Sequence, residues 1–140
     1  MTLDLDHNAK TWQGRERHYV AYQEVDCSDI TVPSDGKVKV MTIPANSYVA
    51  RVRTKVTTAE GSAADLDVGD SSTVNEFGDA LDINSTSTDN FDTNGGNSGA
   101  IYTSADYIQF FFKDNGADTV YQASTCVIGL WVELIDFSAQ

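Results

Sequence analysis

From Tyr48 to Thr58 apolar and charged positions alternate: Ala50, Val52, Thr54 and Val56 fall on one face, Arg51, Arg53 and Lys55 on the other. Side chains alternate across a strand, so the pattern predicts a half-buried strand whose outer face carries three cations about 7 Å apart. Further strands are read at His18 to Val25 and at Lys37 to Ile43, with the Pro33-Ser34-Asp35-Gly36 turn between them. Asp65-Leu66-Asp67-Val68-Gly69-Asp70 fits a short strand with Leu66 and Val68 inward and the aspartates outward. Residues 84–100 hold only two apolar side chains, Phe91 and Ala100, and read as a long polar loop. Strands resume at Ile101 to Thr103 and Tyr107 to Lys113; Asn115-Gly116 then predicts a type I′ hairpin turn. The last strand, Thr125 to Phe137, sets Ile128, Leu130, Val132 and Leu134 on one face and Val127, Trp131 and Ile135 on the other. Such a strand is central, or is covered on its outer face by another chain.

Residues 1–17 show no period; Leu3, Leu5 and Trp12 are scattered among polar residues. They are read as an N-terminal arm, with Trp12 packing on the body or on a neighbouring subunit, and 18–140 as a single domain. Seven or eight short strands with turns between them predict an all-β fold, an antiparallel β-sandwich of jelly-roll type. Composition agrees. Val, Ile and Thr supply 34 of the 140 residues against 6 Leu and 5 Glu, and β-branched side chains favour the pleated sheet.

The net charge of −12 argues against a nucleic-acid partner, because phosphate contacts need a surplus of Lys and Arg. No stretch approaches the ~20 apolar residues of a membrane-spanning helix, so no membrane partner is expected. The charge is uneven: residues 1–55 hold eight basic and seven acidic side chains, and residues 56–140 hold one and fourteen. This asymmetry predicts two surfaces of different character. Arg51, Arg53 and Lys55, joined by Arg15 and Arg17 and by Lys37 and Lys39, form the one basic feature, suited to orienting an acidic partner.

Candidate chemistry is sparse. Cys27 and His18 lie nine positions apart with no strand–turn–helix elbow around either, so no catalytic residue is assigned. The opening residues Met1 to His7 are acidic and unlike a signal peptide, and two reduced thiols are expected at Cys27 and Cys126. Asp65, Asp67 and Asp70, followed by Asp79 and Asp82, fail the EF-hand spacing and read as a solvated acidic edge; no metal and no cofactor is expected. Glu133 is the one acid set between apolar neighbours, on an outer strand face. Trp12, Trp131 and the tyrosines leave a carbohydrate- or receptor-binding module as the alternative.

Asp6-His7-Asn8-Ala9-Lys10-Thr11-Trp12, with Gly14-Arg15-Glu16 and Tyr19-Val20, resembles the start of small head proteins of tailed bacteriophages, including marine and cyanobacterial phages. So do Ile43-Pro44-Ala45, Val56-Thr57-Thr58-Ala59-Glu60-Gly61, Asp67-Val68-Gly69-Asp70 and Tyr102-Thr103-Ser104-Ala105-Asp106-Tyr107-Ile108, in that order. The resemblance covers roughly 6–136 outside the polar loop. It implies a capsid cement or decoration protein with no catalytic residues, assembled in host cytoplasm. Such a protein is a homotrimer on the outer capsid surface and bridges neighbouring major capsid subunits. The residues expected at capsid or subunit interfaces are Trp12, Arg15, Arg17, Arg51, Arg53, Lys55 and Trp131.

Overall fold

The computed structural model describes residues 17–86, 91–92 and 100–137, with backbone alone at Arg17, Phe91 and Asp92. Trp12, Arg15 and the rest of the arm lie outside the described residues, as does the Arg17 side chain. Nine strands and no helix make up the described chain. They are β1 (Arg17–Asp26), β2 (Lys37–Ile43), β3 (Ser47–Thr58), β4 (Ala64–Gly69), β5 (Gly78–Asp82), β6 (Phe91–Asp92), β7 (Ala100–Tyr102), β8 (Asp106–Asp114) and β9 (Val127–Asp136). One sheet has the order β1-β9-β3-β6, with β7 also paired to β3, and the other has the order β2-β8-β4-β5.

The pairings reveal how the sandwich is wound. β1 pairs β9, β2 pairs β8, β3 pairs both β6 and β7, and β4 pairs β5, all antiparallel. These are the pairs of one long hairpin doubled back between β4 and β5. Rolling that hairpin adds β9 to β3 and β8 to β4 and closes two sheets over one core. With β6 and β7 counted as two pieces of one strand, this is an eight-stranded jelly roll. The sandwich read from the sequence is the fold.

The core lies between the sheets. Val49, Val52 and Val56 of β3 meet Ile128, Leu130 and Val132 of β9, and the other sheet contributes Leu66, Val68, Phe110 and Phe112, all buried. Phe110 and Phe112 sit edge to face, with centroids 6.1 Å apart, a geometry that sets the positive edge of one ring on the negative face of the other. Cys27 and Cys126 belong to the same core.

Several local expectations are corrected. The β3 ladder shifts register between Val49 and Arg51. The bulge at Ala50 removes it from the core face, and Val49 takes that place. The turn at Asp114–Ala117 exists, closed by Ala117 N–H donating to Asp114 O at 3.0 Å. Only Gly116 has positive φ (74°), the signature of type II rather than I′. The segment after this turn pairs back through a single bridge, Lys113 to Val120. Within the expected loop 84–100, residues 91–92 pair with β3 and Ala100 opens β7; 87–90 and 93–99 lie outside the described residues.

Candidate functional site

The outer face of the β1-β9-β3 layer gathers the basic stripe and Trp131. Register sets Arg53 opposite Trp131, Arg51 opposite Glu133 and Lys55 opposite Gly129, while Tyr22 stands on the far side of Trp131 and Val20 beside Glu133. Cross-strand neighbours on one face are about 5 Å apart, so these side chains form one continuous surface. Its described residues other than Gly129 are half-buried or exposed. Val20 is 57% exposed and Tyr22 51%. Isolated apolar residues are ordinary on a surface, but here they adjoin an aromatic pair and three cations.

Gly129 makes the aromatic pair possible. A Cβ built there would lie 2.9 Å from the Trp131 ring and 3.2 Å from Tyr22, so the absent side chain leaves a seat for the indole. Tyr22 closes on it with ring centroids 4.7 Å apart at 42°. The sequence reading missed this partner, although a glycine inside an otherwise apolar strand is the usual mark of a close approach. Lys37 and Lys39 do not join the stripe. They lie on β2 in the other sheet, where the Lys39 ammonium sits 4.3 Å from the centre of the Tyr107 ring.

On the outer face of the β2-β8-β4-β5 sheet only the central strands are covered: Phe111 and Lys113 of β8 and Asp65 and Asp67 of β4 are buried, while Lys37 and Lys39 of β2 and Asp79 of β5 are exposed. Segments around Val74–Ala80 and Gly116–Val120 border a cavity of about 850 Å³ over this face. Beneath them Asp67 is 2% exposed and Lys113 6%. The Lys113 ammonium lies 3.0 Å from Asp67 and 3.4 Å from both Asp79 and Asp118. Ala80 N–H also donates to Asp67 at 2.8 Å, from a backbone at φ 53°. Burial opposes the lysine's charge, yet Asp67 and Asp79 outweigh it and hold its pKa above the ordinary range. Burial pushes Asp67 up despite its hydrogen bonds. The two directions agree, since several carboxylates share one ammonium and the most buried is the easiest to neutralise. The expected solvated acidic edge holds only in part: Asp79 and Asp82 are exposed on β5 at the end of the sheet, whereas β4 lies between β8 and β5, and Asp65, Asp67 and Asp70 are buried. Among the described residues no group of side chains is arranged to hold a metal ion.

The remaining candidate residues have structural work. His18 lies near the start of β1 and Cys27 just past its end, nine positions and roughly 30 Å along the chain, so the two cannot meet. Cys27 and Cys126 do meet, with sulfurs 3.4 Å apart. The contact with Cys27, together with burial, raises the Cys126 thiol pKa, so Cys126 stays a thiol and is slow to react. Beside it, Glu60 accepts the backbone N–H groups of Ser124, Thr125 and Cys126 at 2.9, 3.0 and 2.8 Å. Burial works against that carboxylate, but the three donors win and lower its pKa. In Asp67-Val68-Gly69-Asp70, each residue has a place: an ion pair, the core, a close approach and a cap. A Cβ at Gly69 would lie 2.0 Å from Thr73 O. Asp70 accepts Thr73 N–H at 2.9 Å and Tyr102 O–H at 2.8 Å.

Two solved structures share this architecture. A chain of the cyanophage Pam1 capsid asymmetric unit aligns with a TM-score of 0.56 and 16% identity, over 86% of each chain. A chain of the acid-stable capsid of Helicobacter pylori bacteriophage KHP30 aligns with a TM-score of 0.54 and 16% identity, over 86% of this chain and 91% of that one. The fold occurs in bacteriophage capsids. No protein-family model matches the chain, nor does any curated protein.

Proposed function

We propose that this chain is a virion structural protein, a cement or decoration protein on the outer surface of a bacteriophage capsid, where it bridges neighbouring major capsid subunits. The observation that carries the reading is the asymmetry between its two faces. One sheet is covered at its centre by loops and acidic groups, while the other presents Arg51, Arg53, Lys55, Tyr22 and Trp131 side by side, with Glu133 opposite Arg51. On a molecule of net charge −12, this face orients docking to an acidic shell. The shared jelly roll with chains of two phage capsids supports it, as does the order of motifs resembling phage head proteins. Trp12, Arg15 and Arg17 extend the same role into the arm, and a homotrimer would multiply each weak contact into avidity.

The test is occupancy. Arg51→Glu with Arg53→Glu should leave the fold intact by circular dichroism and lower binding to capsids lacking the protein. Equal occupancy of variant and wild type removes this face from the interface. The exposed Tyr22 beside Trp131 favours a second reading, a sugar platform; tryptophan fluorescence protected by added oligosaccharide would support it.

A further inference from the structure

β1 ends its sheet. It pairs with β9 along all ten residues, and no described strand lies beyond it. Long edge strands invite pairing with another chain, and natural proteins blunt them with charges, prolines, bulges or short length. β1 has none of these through its middle. Tyr19-Val20-Ala21-Tyr22 is uncharged, its ladder to β9 runs without a register shift, and Val20 and Tyr22 are both more than half exposed.

We propose that the β1 edge pairs with the β1 edge of a second copy, antiparallel about a two-fold axis at Ala21. The strand is self-complementary in that register. Ala21 faces Ala21 of the second copy, the smallest pair at the axis. On the outer face Val20 meets Tyr22, so the Tyr22–Trp131 stack of each copy continues into the apolar side chain of the other. His18 meets Glu24, an imidazole donor opposite a carboxylate. A shift of two residues toward the strand's C-terminal end sets Glu24 on Val20 and loses that complementarity, while the opposite shift carries Glu24 past the described strand. Even-numbered positions of both copies share one face, so the two outer faces join as a single surface. Its two basic stripes then lie five strand spacings apart, roughly 24 Å. The contact is two-fold and independent of any three-fold assembly.

Cysteine cross-linking reads the register directly. Directly opposed strand residues have Cα atoms about 4.5–5.5 Å apart, within disulfide reach. In the full-length chain under mild oxidant, Ala21→Cys should give a covalent dimer on a non-reducing denaturing gel. Gln23→Cys, which faces Tyr19 of the second copy, should not. The wild-type chain, whose own cysteines are buried, should stay single. Adding Val20→Lys to Ala21→Cys should lower the yield about tenfold with an unchanged circular dichroism spectrum. A folded Ala21→Cys chain that stays single overturns the pairing, and equal cross-linking at Gln23→Cys overturns the register. A cross-link that forms only after removal of residues 1–16 means that the chain's own N-terminal segment holds the edge, which also overturns the proposal.

Discussion

Replacing Lys113 by Met keeps the apolar stem and removes the charge that Asp67, Asp79 and Asp118 share. Asp79 and Asp118 are open to water and can rehydrate, but Asp67 is 2% exposed and cannot. Breaking a buried pair from one side costs about 3–5 kcal/mol. Protonation sets a ceiling on that cost. Neutralising a carboxyl of ordinary pKa near 3.9 costs about 1.4 kcal/mol per pH unit, or ~4 kcal/mol at pH 7 and ~1.5 kcal/mol at pH 5. The sign follows from the raised folded pKa: the folded chain takes up the proton first, so the variant's deficit grows as pH rises from about 4 toward 7. With an unfolding entropy of ~2.1 cal/mol/K per residue, a chain of 140 residues loses about 3 °C of Tm per kcal/mol. Thermal melts should therefore show a drop of roughly 10–14 °C at pH 7 and about 5 °C at pH 5. A pH-independent drop, or one below about 3 °C, would refute the shared-ammonium account.

Glu60→Gln leaves backbone donors of Ser124, Thr125 and Cys126 poorly met and should cost about 2–3 kcal/mol at neutral pH. Because the folded pKa of Glu60 is lowered, its contribution is present above the ordinary carboxylate range and lost as pH falls through the folded value, so urea titrations should show a shallower acid limb in the variant. Diamide should join Cys27 to Cys126 slowly, detected as the loss of two hydrogens by mass spectrometry. Closing a span of 99 residues should raise Tm, the chain-entropy limit being about 4.7 kcal/mol; an oxidised protein that melts lower would mean the sulfurs cannot bond without strain. Gly69→Ala pushes a methyl into the backbone of Thr73 and Val74 and should cost about 3 kcal/mol or more, read as loss of soluble folded protein.

How much of this was legible in the sequence varied with the reach of the contacts. The alternation of β3 and the two apolar faces of β9 were readable because period-two burial is local, and β9 is indeed central in its sheet. The bulge at Ala50 was not, since it depends on where β9 sits rather than on β3 itself. Asp67 was read as solvated because an isolated aspartate belongs in water; its cation arrives on β8, far along the chain. The nearness of Cys27 to Cys126 likewise needed the doubled-back hairpin to bring the start of the chain beside β9. Of the expected interface, Arg51, Arg53, Lys55 and Trp131 share one face, but Tyr22 and Gly129, which hold Trp131 in place, come from pairing that no local pattern announces.

Docking through the basic stripe requires that the β1-β9-β3 face meet the capsid. An electron cryomicroscopy reconstruction of particles carrying this protein would show which face does. The expected map has jelly-roll density on the outer surface, spanning neighbouring capsid subunits, with the β1-β9-β3 face toward the shell and the acidic sheet outward. Density inside the shell, or the acidic sheet packed against it, would contradict this docking.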